Sequence, residues 1–399
     1  MTRRARLSHA TELLATSERR RTLVADADAE ARVAQDLGRL AAGLDGELDA
    51  ALVALLLIGT HARAEASVVM QHEELGSDSS YELLAILRRR SAVSHERLEQ
   101  LAISWSERLD ARVHLHGCTR KEILGARPSL SWLEIAAGKH EILTGPAAAL
   151  SALHPVHPKD LPSEAAARLT RDAAVGLALS NLDALGRDRH GPRHAHHAVL
   201  LCGDALLLHA SHFSLDLRQR AAELARIATA HDQVQLSAAY DDAVCYQERP
   251  DLWRPAPDFA RWYREIRQCV EQLHLHLEAS RVGSATDPLG YALFAGKLWP
   301  STRFLATLSL RATLRSARAG NPARGSHAGA PEERLTRCAA LLGYAHERPE
   351  ARNLAARLLG IASTRTPSDV ELLVRLRKLA EQVRAADPDP LSGARYGRD

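Results

Sequence analysis

Apolar positions change their period along this chain, and the changes mark out its elements. Across residues 9–44, Leu13, Leu14, Leu23, Val24, Val33, Leu37 and Leu40 fall mostly at three- and four-residue steps, which predicts helix. Residues 51–58, ALVALLLI, then form an unbroken apolar run closed by Gly59, the pattern of a buried strand entering a tight turn. A second run, YELLAIL, occupies 81–87. In SHERLEQLAISWSERL, Ser94 is placed to cap a helix whose Leu98, Leu101, Trp105 and Leu109 share one face. ARVHLHG, 111–117, alternates and predicts a third strand. SWLEIAAGKHEILTGP is expected to form a hairpin turning at Gly138-Lys139 and stopped by Gly145-Pro146.

The order strand, loop, strand, helix, strand, hairpin predicts an α+β unit with a small mixed sheet over 46–157, after a helical lead-in at 1–45. The Pro-rich HPVHPKDLP closes it. From 158 to 385 almost every segment has helical period, so a larger all-α domain is expected, interrupted by loops at 249–258 and 316–333. There, Phe259, Trp262, Ile266, Val270, Leu273 and Leu277 form one apolar stripe. Residues 386–399 read as a frayed tail.

Composition narrows this picture. Hydrophobic residues at 46% and charged residues at 25% suit folded cores, and 4% aromatics in a chain rich in Ala, Leu and Arg favours helices over β-sandwiches. The net charge of +3, from 52 basic and 49 acidic residues, does not describe a polyanion-binding surface. The runs RRRTL and LRRRS lack interleaved aromatics, so they carry no strong nucleic-acid signal. Five scattered cysteines without a CxxC pair read as reduced, buried thiols. The basic start has no apolar signal core, and the longest apolar run is too short to span a bilayer. A cytoplasmic location without membrane partners is expected.

Candidate chemistry concentrates in IGTHARAEASVVMQHEELGSDSSYELLAI. Backbone N–H groups at the Gly59-Thr60 turn, with the Thr60 hydroxyl, can cradle phosphate oxygens. The order of elements over 48–153 resembles the nucleotidyltransferase fold of the DNA-polymerase-β type. In that family a strand ends in Gly-Ser or Gly-Gly, a loop follows, the next strand opens with Asp-x-Asp, and a later strand carries a third acid. Gly59, Arg63, Ala64 and Glu65 look like the family's Gly-x-x-x-Arg-Gly-Glu loop, and GDALLL at 203–208 is similar to a helix of its two-domain branch.

The resemblance implies NMP transfer from a nucleoside triphosphate to an acceptor hydroxyl, with Mg²⁺ (or Mn²⁺) ions held by the acids. It maps the first aspartate onto Ser80, the second onto Glu82, and the third-strand acid onto the neighbourhood of His114 and His116. Glu82, Ser80 and Asp78 are therefore the implied catalytic set, Gly59, Thr60 and Arg63 the nucleotide-binding set, and Glu82, His114 and His116 the metal set. A serine hydroxyl is a weak Mg²⁺ ligand and imidazole suits zinc or manganese better. In an extended chain Asp78 and Glu82 lie about 13 Å apart, too far to share an ion. The metal site is thus expected to be weakened or altered.

One alternative is a non-catalytic relative that binds a nucleotide or a partner protein in the same cleft. Another is an all-α diphosphate-handling enzyme, because Asp241, Asp242 and Glu248 beside GDALLL resemble isoprenyl diphosphate synthases; that reading requires no sheet in the first 150 residues. Tyr240 and Tyr246 read as a packing pair. His190, His194, His196, His197, His209 and His212 form a histidine-rich stretch in which His209, His212 and Asp216 share helical steps. Glu265 is a candidate base carried by the helical domain.

Overall fold

Asp26 sets the start of the first helix among the described residues. Its side chain accepts hydrogen bonds from the Asp28 and Ala29 N–H groups and caps α1 (Ala27–Leu48). The protein is seen here as a computed structural model that describes residues 19–71, 74–77, 80–89, 92–182, 191–229, 233–254, 258–283, 287–294, 298–299, 330–361 and 367–386. The helical period read from residue 9 thus becomes helix only at Ala27, while residues 9–18 lie outside the described residues. Ahead of α1 the chain is extended: Thr22 bridges Ala66, and buried Arg21 meets Glu141 with two bonds of 3.0 and 2.7 Å.

The expected strand runs form strands. β1 (Leu52–Ile58) leads into a short α2 (Gly59–Arg63), then a two-stranded ribbon, β2 (Val68–Gln71) and β3 (Glu74–Ser77), inside the segment read as a loop. β4 (Tyr81–Leu87), α3 (His95–Leu109), β5 (Val113–Thr119), α4 (Arg120–Leu124), α5 (Leu130–Ala136) and β6 (Glu141–Thr144) follow. The four-stranded sheet has the order β5-β4-β1-β6, with β4 and β5 parallel and β1 antiparallel to both β4 and β6. It is therefore a small mixed sheet within a mostly helical α+β chain.

Alternation along the strands makes two faces. Leu55, Leu57, Leu83 and Leu115 share a core with Val33, Leu37, Leu40 and Leu44 of α1 and Leu98, Leu101 and Trp105 of α3. Ala54, Leu56, Leu84, Ile86 and Cys118 pack the other way, against Trp132 and Ile135 of α5 and Ile123. Leu55, Leu57, Leu83 and Leu84 are fully buried, each worth roughly 1.5–3 kcal/mol over exposure. With helices on both faces, β1 and β4 need apolar residues on both sides, which is why their sequences run unbroken.

The expected hairpin at Gly138-Lys139 is corrected to a helix, a turn and a strand. Ser129 accepts the Trp132 N–H and starts α5, whose Trp132, Leu133 and Ile135 are buried at helical spacing. Gly138, at φ 78°, ends it. β6 then pairs with β1 rather than with residues 130–136. Register across the sheet overrode the alternation of SWLEIAA.

The rest of the described chain is helical: α6 (Glu164–Leu182), α7 (Gly191–His209), α8 (Leu217–Ala228), α9 (Val234–Glu248), α10 (Phe259–Val282), α11 (Pro288–Leu293), α12 (Pro331–Tyr344), α13 (Pro349–Leu358) and α14 (Asp369–Ala386). Small residues let these helices approach closely. Ala174 and Ala178 of α6, Ala198 and Ala205 of α7, and Ala339 and Ala340 of α12 are buried in one core, and Asn181 donates to the carbonyls of Leu342 and Gly343. Leu23, Leu130 and Leu133 join that core and tie it to the sheet. Among the described residues no helix is long and apolar enough to cross a membrane. Four cysteines are buried free thiols, while Cys245 is exposed. Residues 316–329 of the expected 316–333 loop and the tail from 387 onward lie outside the described residues, and α12 already begins at Pro331.

Candidate functional site

Three strand registers assemble the site. Ile58, the last residue of β1, pairs with Glu82 of β4, and Glu82 pairs with His114 of β5. The turn at Gly59 therefore follows directly beside Glu82. His116 lies two residues farther along β5 on the same face. Glu82 is 2% exposed. Its Oε1 accepts from the Ser80 hydroxyl at 3.0 Å and lies 3.8 Å from His114 Nε2, while its Oε2 lies 3.3 Å from His116 Nε2. Four of the expected residues thus converge around one carboxylate. Asp78, the fifth, lies outside the described residues.

Gly59 adopts φ 72°, a left-handed conformation that costs a side-chain-bearing residue roughly 1–2 kcal/mol. Ala64, which closes α2, is also left-handed at φ 61°. Opposite results are expected at the two positions in urea unfolding. Gly59→Ala should cost about 1 kcal/mol, and Ala64→Gly should gain about 1 kcal/mol. Equal shifts of the same sign would contradict the assignment.

Arg63 does not point to the turn. Its guanidinium donates to Glu65 at 2.7 Å and to Glu134 at 2.8 Å, all three side chains being buried. Burial opposes its charge, but Glu134 and Glu65 outweigh burial and raise its pKa. Glu65 continues to Arg220 of α8 at 3.1 Å, and Arg220 pairs with Asp204 of α7 at 2.9 Å. The Tyr240 hydroxyl donates to Asp204 at 2.9 Å, and the Tyr246 ring of the expected tyrosine pair stacks on His196. Arg220 likewise stays charged against burial because Asp204 and Glu65 lie beside it. The loop after the turn is thereby tied to the helical core through buried charge. Only Arg63 and Glu65 of this chain of groups were legible, since Arg220 lies 155 residues from Glu65.

Other sequence candidates are dispersed. Glu265 is exposed and bonded to Arg261. Asp216 caps α8, and His212 faces Arg226 and Glu223. His190 lies outside the described residues. β1 and β4 are strands, which removes the all-α diphosphate-handling reading.

The two magnesium ions that the resemblance implies do not fit what is present. Mg²⁺ needs near-octahedral oxygen ligands at about 2.0–2.1 Å, and among the described residues the three mapped positions hold the Ser80 hydroxyl, the Glu82 carboxylate and the imidazoles of His114 and His116. Among the described residues no group of three or more His, Cys, Asp and Glu side chains is arranged to hold a metal ion. What the arrangement offers is imidazole N–H donors and a glycine turn around a buried acid, a set suited to an anionic ligand.

Comparison with protein-family models, with curated proteins and with solved structures yields no match.

Proposed function

We propose that the chain is a nucleotidyltransferase-like protein, with a small mixed-sheet unit over 46–157 and a larger all-α unit over 158–385, that binds a nucleoside triphosphate without a two-metal centre. The observation that carries this is the register bringing the Gly59 turn, Glu82 and His114 side by side on three neighbouring strands. These are the positions at which the family pattern places its phosphate turn and its acids. Ala64 adds support, because it is left-handed where the pattern carries glycine.

Electrostatics then select binding over two-metal transfer. A triphosphate with two divalent cations needs several carboxylates to hold the cations. Among the described residues Glu82 is the one carboxylate at the mapped positions, and it is already engaged by Ser80 and faces His116. Imidazoles beside the turn complement phosphate directly. Glu82 faces both rings, at 3.8 Å from His114 Nε2 and 3.3 Å from His116 Nε2.

Calorimetric titration with ATP, GTP, CTP and UTP tests the reading. Binding in EDTA should match binding in Mg²⁺, and replacing His114 and His116 together by alanine should weaken it at least tenfold, about 1.4 kcal/mol. Binding that requires metal, with pyrophosphate release abolished by Glu82→Ala, would overturn it in favour of NMP transfer to an acceptor hydroxyl.

A further inference from the structure

Aromatic residues make up only 4% of the chain, yet five of them gather about one buried histidine of α7. His196 is 1% exposed. Its ring stacks on Tyr246 at 4.3 Å, meets the edge of Trp253 at 4.8 Å and lies 5.0 Å from Trp262. Trp262 in turn contacts Trp253 at 5.3 Å and Phe259 at 5.5 Å, and Phe259 faces Tyr263. Tyr246, Trp253, Phe259, Trp262 and Tyr263 are all only half-buried.

Packing alone does not account for a histidine here. Neither ring nitrogen of His196 has a hydrogen-bond partner among the described residues. The Asp242 carboxylate lies 3.8 Å from Nδ1, beyond hydrogen-bond range. A phenylalanine would fill the same space without leaving two polar atoms dry. Buried polar groups without partners ask for an occupant that supplies them. A half-open aromatic wall with unmet hydrogen-bonding atoms suits a planar, heteroaromatic ligand, which stacks on the rings and satisfies the nitrogens.

The position of the wall names the ligand. Gln247, the neighbour of Tyr246 on α9, donates its side-chain N–H to the Glu65 carbonyl at 3.2 Å. The Glu65 N–H donates to the Thr60 carbonyl at 2.8 Å. Two hydrogen bonds therefore join the aromatic wall to the glycine turn. The rim carries both signs of charge: the Arg254 guanidinium bonds the Trp253 carbonyl at 3.1 Å, and the Asp242 carboxylate accepts from Trp253 Nε1 at 3.4 Å.

We infer that the wall around His196 takes the base of the nucleotide whose phosphates meet the Gly59-Thr60 turn. Trp253 and Trp262 supply stacking faces, and His196 with Asp242 supplies in-plane hydrogen bonds. The inference rests on the phosphate-binding reading, but the two separate experimentally.

Wild-type protein is titrated with ATP, adenosine and inorganic tripolyphosphate, following tryptophan fluorescence and heat. ATP is expected to bind at least tenfold tighter than tripolyphosphate, and adenosine alone to quench fluorescence. Trp253→Ala, at a half-buried loop position, should reduce ATP affinity to that of tripolyphosphate and leave tripolyphosphate itself unchanged. Trp253→Phe should restore most of the difference. Equal binding of ATP and tripolyphosphate to the wild type, or an unchanged ratio in Trp253→Ala, overturns the base site while leaving the phosphate site standing. Binding of adenosine without tripolyphosphate supports the base site and removes the phosphate reading. Failure of all three ligands removes both.

Discussion

Replacing Arg220 by methionine is expected to cost about 3–5 kcal/mol, the usual penalty for leaving one side of a buried ion pair uncompensated. Arg220 is 3% exposed and stands between Glu65 and Asp204 at 3.1 and 2.9 Å. Methionine keeps much of the bulk and strands both carboxylates in a low dielectric. Tyr240 can still donate to Asp204, and Glu65 keeps its bond from Arg63, but both carboxylates lose the Arg220 charge. A control separates this from generic charge loss. Arg261 pairs with Glu265 at 2.9 Å at the surface, where solvent screens the pair, and Arg261→Ala should leave the unfolding midpoint close to that of the wild type. Urea unfolding of the two variants makes the comparison. Similar midpoints would mean that the buried chain of charges contributes no more than a surface pair. Because the chain runs from α2 to α7, the Arg220 variant should also loosen the Gly59-Thr60 turn, seen as faster amide hydrogen exchange there.

Acidification should destabilise the protein through two neutral histidines. Burial lowers the pKa of His196 to about 3. Burial also lowers His274 to about 4, with Arg281 acting in the same direction and Glu278 against it. An unfolded imidazole titrates near ~6.5, so between that value and these the unfolded chain binds more protons than the folded one. Their contribution is therefore complete above pH ~6.5 and is lost as pH falls towards the folded values. At about 1.4 kcal/mol per unit, the two together withdraw on the order of 5 kcal/mol by pH 4. Thermal unfolding from pH 7 to 4 should show this slope, and His196→Phe should make it shallower without loss of stability at pH 7. A parallel slope in that variant would place the acid sensitivity elsewhere. His274 is not replaced for this purpose, because its Nδ1 lies 2.8 Å from the Tyr344 hydroxyl.

Much of the fold was legible because its signals are local. The unbroken runs at 51–58 and 81–87, the alternation at 111–117 and the Ser94 cap each report their own element, and strands 52–58, 81–87 and 113–119 and the helix 95–109 formed there. Of the candidate site, Glu82, Ser80, His114 and His116 were pointed to by the family resemblance, and strand register brings them side by side. Other features were out of reach. Alternation in SWLEIAA looks like a strand until the Ser129 cap and the pairing of β6 with β1 are known. Arg63 looks like a phosphate ligand until Glu134, 71 residues away, is seen on its guanidinium. His196 looks like one of many histidines until four rings from α9, α10 and the loop between them close around it.

Sequence alone therefore determined the strands β1, β4 and β5, the capped helix α3 and which face of β4 and β5 carries Glu82 and the histidines, because period, caps and turn residues act over a few positions. Tertiary structure alone decided which charges are neutralised, which histidine is left dry and what the turn is fastened to. Those outcomes depend on desolvation and on partners up to 182 residues apart, and neither leaves a mark in the local pattern of the chain.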